Sequence, residues 1–94
     1  MTGVFQSVQF ELLLPQELRT IVAQRPVAYI SLSTLEWHRE HLSVGLDALT
    51  SHGLCLRAAK QDGGVVLPPL HYGTGSGHGN YPWAIMMPDR KSVV

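Results

Sequence analysis

The sequence lacks several features that would assign a protein to a particular compartment or partner. Its single cysteine, Cys55, cannot form a disulfide within the chain, which fits a reducing cytoplasm, and we expect the protein there. Residues 1–14 have no basic start followed by a long apolar stretch, so no secretory signal is predicted. The apolar runs are short and predict no membrane-spanning segment. Seven basic residues balance seven acidic ones, and no basic patch points to nucleic acid.

The composition is that of one small folded domain. The chain has 94 residues, of which 45% are hydrophobic, and this is enough for a packed core. It contains no internal repeat and no low-complexity linker. We therefore expect residues 1–94 to belong to a single domain.

Hydrophobic spacing and turn residues predict two helices and two strands. Residues 15–25 carry an apolar stripe behind Pro15, which suits the first turn of a helix. The apolar run 27–33 predicts a buried strand. Residues 47–61 predict a second helix, and residues 65–67 predict a second strand that two prolines end.

A strand, a helix and a strand in this order predict a βαβ unit with parallel strands and a right-handed crossover. Ligands of such sheets bind beyond the carboxyl ends of the strands. Glu36 and His38 follow the first strand, whereas His71 and the glycine-rich residues 73–79 follow the second. Both polar clusters are therefore expected at the same edge of the sheet.

The densest group of chemically active side chains lies in residues 36–47. Glu36 and His38 are two residues apart, so an extended chain presents both on one face. A carboxylate and an imidazole there favour a divalent-metal site, and Asp47 is placed to reach back and bridge two ions. Two simpler interpretations stay open. Glu36 and His38 also fit an ordinary solvated pair, and Asp47 also fits the N-cap of the second helix.

This run resembles the signature of the creatininase (creatinine amidohydrolase) family. That signature is an acidic residue, any residue, a histidine, then Gly-x-His-Leu-Pro and a later aspartate. The matching positions are Glu36, His38, His41, Leu42 and Asp47. Arg39 replaces the usual glycine and Ser43 replaces the usual proline. If position 39 requires a positive φ, an arginine there strains the turn.

The resemblance continues in order through Gly63–Gly73, Ser76–His78 and Tyr81–Ile85, so it covers roughly residues 27–87. It implies an α/β fold of three layers, α/β/α, with a mostly parallel sheet, of which this chain carries the first half. Residues 1–94 are then expected to be a partial domain, an N-terminal fragment. Complete family chains are much longer, and they add a histidine and a glutamate ligand from a later motif.

The resemblance also implies roles for individual residues. Glu36 binds one divalent ion, His38 binds the other and Asp47 bridges them, with Zn or Mn as the candidate metals. A hydroxide held between the ions attacks the substrate carbonyl. His41 fits a group that hydrogen-bonds to a metal-ligating carboxylate without binding the metal itself. A histidine packed under the loop fits equally. His78 is implied to lie near the substrate as a catalytic residue, or else is incidental to a flexible loop.

The function implied is that of a metal-dependent amidohydrolase that cleaves a non-peptide, often cyclic, amide C–N bond of a small molecule. Family members often form homo-oligomers. The alternative is a catalytically inactive fragment or interaction module that a complementing C-terminal segment completes. A third interpretation is a small metal-binding protein with His71 or His78 as a further ligand. Trp37 and Trp83 fit core or interface positions, or stacking on a flat cyclic amide.

Overall fold

The computed structural model describes residues 7–74 and 81–87, which contain two helices and a small parallel sheet. The elements in chain order are a 3-10 turn (Phe10–Leu12), α1 (Pro15–Gln24), β1 (Ala28–Tyr29), α2 (Leu46–Asp62) and β2 (Val65–Val66). The described residues form two compact units. The first unit holds the residues up to Ser31 and His52–Pro69, and the second holds Leu32–Ser51 and the described residues from Leu70 onward.

Both predicted helices are confirmed, and residues suited to helix ends mark their boundaries. α1 begins at Pro15, whose missing N–H is not needed in a first turn. The Glu17 carboxylate accepts a hydrogen bond from the Leu14 backbone N–H at 2.8 Å, which satisfies one donor at the helix start. α2 ends where Gly63 adopts a φ of +86°, a conformation that favours glycine.

β1 and β2 pair in parallel, as the sequence predicts. Ala28 lies opposite Val65, and Tyr29 lies opposite Val66. Val66 is fully buried, and a single parallel bridge joins its other side to Gln9. β2 therefore has a neighbour on each side and lies at the centre of the first unit. Burial of a valine side chain contributes about 1.5–3 kcal/mol to the stability of this unit.

Both strands are shorter than predicted. The pattern predicted residues 27–33 and 65–67, whereas β1 and β2 have two residues each. Pro68 and Pro69 follow β2 without a backbone N–H to donate, so the hydrogen-bond ladder stops there. Apolar residues alone do not reveal where a ladder loses its donors.

In the second unit, an extended segment at residues 32–36 has neighbours on both sides. Leu32 forms a parallel bridge with Leu70, and Leu35 forms an antiparallel bridge with Ile85. The backbone hydrogen bonds beside these bridges measure 2.9 and 2.7 Å. This pairing keeps the chain extended up to the start of the polar run.

The buried apolar side chains of the first unit come from its helices and strands together. They include Ile21 of α1, Ala59 of α2 and both valines of β2. Because α1 contacts β2, the arrangement is the α/β class that the sequence predicts. Neither helix within residues 7–74 and 81–87 has the length and apolar character needed to cross a membrane.

Candidate metal centre

The polar run forms a loop between the extended segment and α2. The Glu36 backbone N–H donates to the carbonyl of Val44 at 3.1 Å, which closes this loop. Ser43 then initiates the helix. Its carbonyl accepts from the Leu46 N–H and its hydroxyl accepts from the Gly45 N–H, each at 3.1 Å. A short hydroxyl side chain suits such a turn, which brings the two ends of the run together.

Three side chains of this loop and helix converge. The His38 Nε2 atom lies 3.1 Å from Asp47 Oδ2 and 3.9 Å from Glu36 Oε1. One donor atom from each residue lies within 4.8 Å of the other two. The side chains of His38 and Glu36 are 22% and 18% exposed, whereas that of Asp47 is 51% exposed. Two carboxylates and an imidazole at this spacing offer the donor atoms that divalent cations prefer.

The donor atoms lie close enough together to share a divalent ion. Two ligands that share one Zn²⁺ at about 2.0–2.1 Å with tetrahedral angles lie roughly 3.3 Å apart. The His38–Asp47 separation of 3.1 Å is close to this value. Glu36 Oε1 lies 3.9 Å from the same nitrogen. The donor set therefore fits the group, and the role of each residue as a ligand stays a prediction.

Thr34 orients Glu36. Its hydroxyl donates to Glu36 Oε2 at 3.4 Å, while the other oxygen, Oε1, faces His38. Groups outside the ligands commonly fix ligands in this way. Sequence analysis missed Thr34, although its spacing gave a signal: it lies two residues before Glu36 in an extended segment, and hence on the same face.

Asp47 is not the N-cap of α2. The helix begins at Leu46, so Asp47 lies in its first turn, and its carboxylate faces His38. The N-cap interpretation is wrong because the turn at Ser43 starts the helix one residue earlier. An acidic residue in the first turn still interacts favourably with the helix dipole, by about 0.3–1 kcal/mol.

Arg39 has a φ of +66°, which is in the left-handed region of the backbone. In the sequence it lies between His38 and His41. The condition under which strain is predicted at this position, a positive φ, is therefore met. A left-handed conformation costs an L-residue with a Cβ roughly 1–2 kcal/mol, and glycine avoids that cost.

Replacement of this residue, Arg39→Gly, is expected to stabilise the protein by about 0.5–1 kcal/mol. The relieved strain exceeds the extra conformational entropy that glycine has in the unfolded chain. The matched control is Arg57→Gly in the interior of α2, which should destabilise by about 1 kcal/mol. Urea unfolding measures both, and two variants that destabilise equally would show that position 39 is not strained.

An open cleft of about 570 Å³ adjoins the converging side chains. Its lining residues are Glu36, Trp37, His38, Arg39, His41, Leu42 and Tyr81. Trp37 and Tyr81 stack with their ring centroids 5.1 Å apart and their planes inclined by 21°. The sequence gave no signal for this contact, because 44 positions separate the two rings. His41 is exposed here and makes no hydrogen bond to another described residue, so its role stays a prediction.

Of the remaining histidines, those within the described residues are not part of the converging group. His78 lies outside the described residues, so its predicted place near the substrate stays a prediction. His71, the further ligand of the third interpretation, is absent from the group that the described residues form. Its Nε2 atom is buried without a hydrogen-bond partner among the described residues, as is Nδ1 of His52.

Fold and site together define a partial α/β unit with a candidate divalent-metal centre at the end of an extended segment. The sequence profile of the creatininase family, described as creatinine amidohydrolase, matches residues 11–91. The chain therefore belongs to the creatininase family, and the predicted resemblance to the N-terminal part of that family is confirmed. A search of curated protein sequences finds no match.

Solved structures of creatininases are similar to this chain. A crystal structure of creatinine amidohydrolase superposes with a TM-score of 0.78 and 28% sequence identity over 88% of this chain. A mutant creatininase of the Zn-Zn type gives the same values, and a tryptophan-to-alanine mutant covers 87% of the chain. The match confirms the predicted creatininase-like α/β fold. The chain spans 34% of the length of these proteins.

Proposed function

We propose that this protein provides the metal-binding part of a creatininase-type amidohydrolase, which hydrolyses a non-peptide, often cyclic, amide C–N bond of a small molecule. The observation that carries the proposal is the convergence of Glu36, His38 and Asp47 in a member of this family. Divalent ions bound at such a site polarise a carbonyl and make water nucleophilic at neutral pH. The 94 residues are then one part of a larger catalytic domain.

The residues of this chain have separate tasks in that scheme. His38 Nε2 and Asp47 Oδ2 lie at hydrogen-bond distance, 3.1 Å, and half of the Asp47 side chain remains exposed for a second contact. Glu36 presents Oε1 toward the same space, and the Thr34 hydroxyl holds its other oxygen. We infer that Glu36 and His38 serve different ions and that Asp47 bridges them.

Zinc or manganese is the proposed metal. The nitrogen and carboxylate donors suit both ions, and a related creatininase is of the Zn-Zn type. Calorimetric titrations with Zn²⁺, Mn²⁺, Ca²⁺ and Mg²⁺ test this proposal by comparing the four affinities. Tighter binding of Ca²⁺ or Mg²⁺ than of either ion would contradict it, because those ions prefer sites made of oxygen atoms alone.

A second candidate function is that of an interaction module whose site is completed by another polypeptide or by a copy of itself. Large apolar side chains of the second unit are exposed, among them Leu32 at 66%, Leu70 at 56% and Met87 at 56%. The chain also spans 34% of the length of its solved relatives. Exposed apolar surface of this kind commonly marks an interaction site.

Amide hydrolysis in the presence of metal distinguishes the two functions. The purified chain is incubated with Zn²⁺ or Mn²⁺ and a panel of cyclic amides and formamides, and released amine or carboxylate is quantified. Turnover that chelation abolishes supports the amidohydrolase. Metal binding with no turnover, together with a shift to larger species in size-exclusion chromatography, supports the interaction module.

Replacement of the orienting residue, Thr34→Val, is expected to weaken metal affinity by roughly tenfold, because loss of an outer hydrogen bond to a ligand costs about 10–100-fold. Valine keeps the shape of threonine and its preference for extended backbone. The matched control is Thr20→Val, which removes an exposed hydroxyl in α1 that bonds the Gln16 carbonyl. Calorimetric titration with Zn²⁺ measures both; equal affinities would exclude an orienting role for Thr34.

A further inference from the structure

Gly73 lies against the segment that carries Thr34, where there is little room for a side chain. A Cβ built at Gly73 would lie 3.0 Å from the Ser33 carbonyl oxygen and 3.1 Å from the Thr34 Cγ2 atom. Gly73 is not among the described glycines that have a positive φ, so its backbone conformation is open to an alanine. Space rather than backbone conformation therefore favours glycine at position 73.

Backbone hydrogen bonds fix Gly73 in this place. Its N–H donates to the Ser33 carbonyl and its carbonyl accepts from the Met87 N–H, each at 2.9 Å. The Ser33 N–H in turn donates to the Leu70 carbonyl at 2.9 Å. Because any shift of Gly73 disturbs hydrogen bonds on both of its sides, it forms a firm surface beside the Thr34 methyl group.

The methyl and hydroxyl groups of Thr34 leave the same Cβ atom. The methyl lies beside Gly73, and the hydroxyl donates to Glu36 Oε2 at 3.4 Å. A threonine side chain has three staggered χ1 rotamers, and a rotamer that places the methyl also places the hydroxyl. The space left at Gly73 therefore determines where the hydroxyl of Thr34 points.

We infer that Gly73 is a positioning residue of the candidate metal centre, because it holds Thr34 in the rotamer whose hydroxyl bonds Glu36. Through this contact, the chain that follows β2 supports a side chain that follows β1. The consequence for metal affinity rests on the proposed function. The packing of Thr34 beside Gly73, however, is a property of the metal-free protein.

Nuclear magnetic resonance of the metal-free 94-residue chain tests this packing. Three-bond couplings from Thr34 Cγ2 to the backbone nitrogen and carbonyl carbon report χ1. In the wild type they should have the values of a single rotamer, and the methyl should show a nuclear Overhauser effect to the Gly73 α protons. Gly73→Ala should move the couplings to another rotamer or to an average. Gly53→Ala, where a Cβ meets nothing within 4 Å, should leave them unchanged.

Two results of this experiment would overturn the inference. One is a set of couplings in Gly73→Ala that equals the wild-type set. The other is seen in the wild type itself, as averaged couplings or a missing Overhauser effect between Thr34 and Gly73. The wild-type measurement decides the question even where Gly73→Ala does not fold.

Titrations with Zn²⁺ test the link to Glu36. Gly73→Ala should weaken Zn²⁺ affinity by about fivefold, approaching the effect of Thr34→Val. In the Thr34→Val background the same change should have an effect of less than about twofold, because the hydroxyl is already absent. A general loss of structure would lower the affinity by the same factor in both backgrounds, and that result would overturn the inference. Absence of zinc binding by the wild type would instead contradict the proposed function, while the couplings still decide the role of Gly73.

Discussion

The Asp47→Ala variant is expected to lose at least about a hundredfold in affinity for Zn²⁺ or Mn²⁺. Asp47 Oδ2 lies 3.1 Å from His38 Nε2, and the proposed arrangement uses this carboxylate on both ions. Loss of an outer-shell group alone costs roughly 10–100-fold in metal affinity, so loss of a bridging ligand should cost more. Calorimetric titration of the two proteins measures the difference.

Metal should also stabilise the wild-type protein and not this variant. A ligand at one hundred times its Kd adds about 2.7 kcal/mol to the free energy of unfolding. For a domain of this size such a gain raises Tm by roughly 10–20 °C. The matched control is Asp62→Ala, which removes the same charge from the other end of α2. If Asp47→Ala keeps the metal-dependent rise in Tm that Asp62→Ala shows, Asp47 is not a ligand.

The Gly64→Ala variant is expected to destabilise the protein by about 2–4 kcal/mol. Gly64 has a φ of +103°, which disfavours any side chain. A Cβ built there would lie 2.8 Å from the Val27 carbonyl oxygen and 3.0 Å from a ring carbon of Tyr29. Because that oxygen belongs to the backbone leading into β1, relief of the contact requires the β1–β2 pair to shift.

The same substitution at Gly53 should have the opposite sign. Gly53 lies in the interior of α2, and a Cβ there would meet nothing within 4 Å. Alanine is about 1 kcal/mol more favourable than glycine in a helix interior, so Gly53→Ala should stabilise. Urea unfolding of the two variants gives both values. Destabilisation of the two proteins by similar amounts would contradict the conformation of the turn between α2 and β2.

Helix ends were predictable because single residues determine them. Pro15 suits only a first turn, and Gly63 supplies the positive φ at which α2 ends, so the predicted bounds differ from the observed ones by one residue. Strand ends were less predictable. They depend on which backbone groups find partners, and Pro68 and Pro69 remove two donors from a run that reads as continuous apolar sequence.

The candidate site was predictable where neighbouring residues define it. Glu36 and His38 share a face because the chain is extended, and a helix start brings Asp47 back to them. The contacts that could not be predicted join residues through tertiary structure. Tyr81 stacks on Trp37, and Leu35 forms an antiparallel bridge with Ile85; no local pattern encodes either pairing.

The substitution of glycine by Arg39 shows a different limit. The family pattern indicated that arginine would strain the turn if φ is positive there, and the observed φ of +66° confirms the condition. Arg39 also lines the cleft together with the stacked Trp37 and Tyr81, and no local pattern in the sequence indicates that neighbourhood.

Anomalous diffraction from crystals of the 94-residue chain grown with Zn²⁺ tests the central claim most directly. A difference map at the zinc edge locates the ion independently of any assay of activity. We expect a peak at about 2.0–2.2 Å from both His38 Nε2 and an Asp47 carboxylate oxygen, with a second peak beside Glu36 where both ions bind. No peak within reach of these three side chains, or a peak at His52 or His71 instead, would contradict the proposed metal centre.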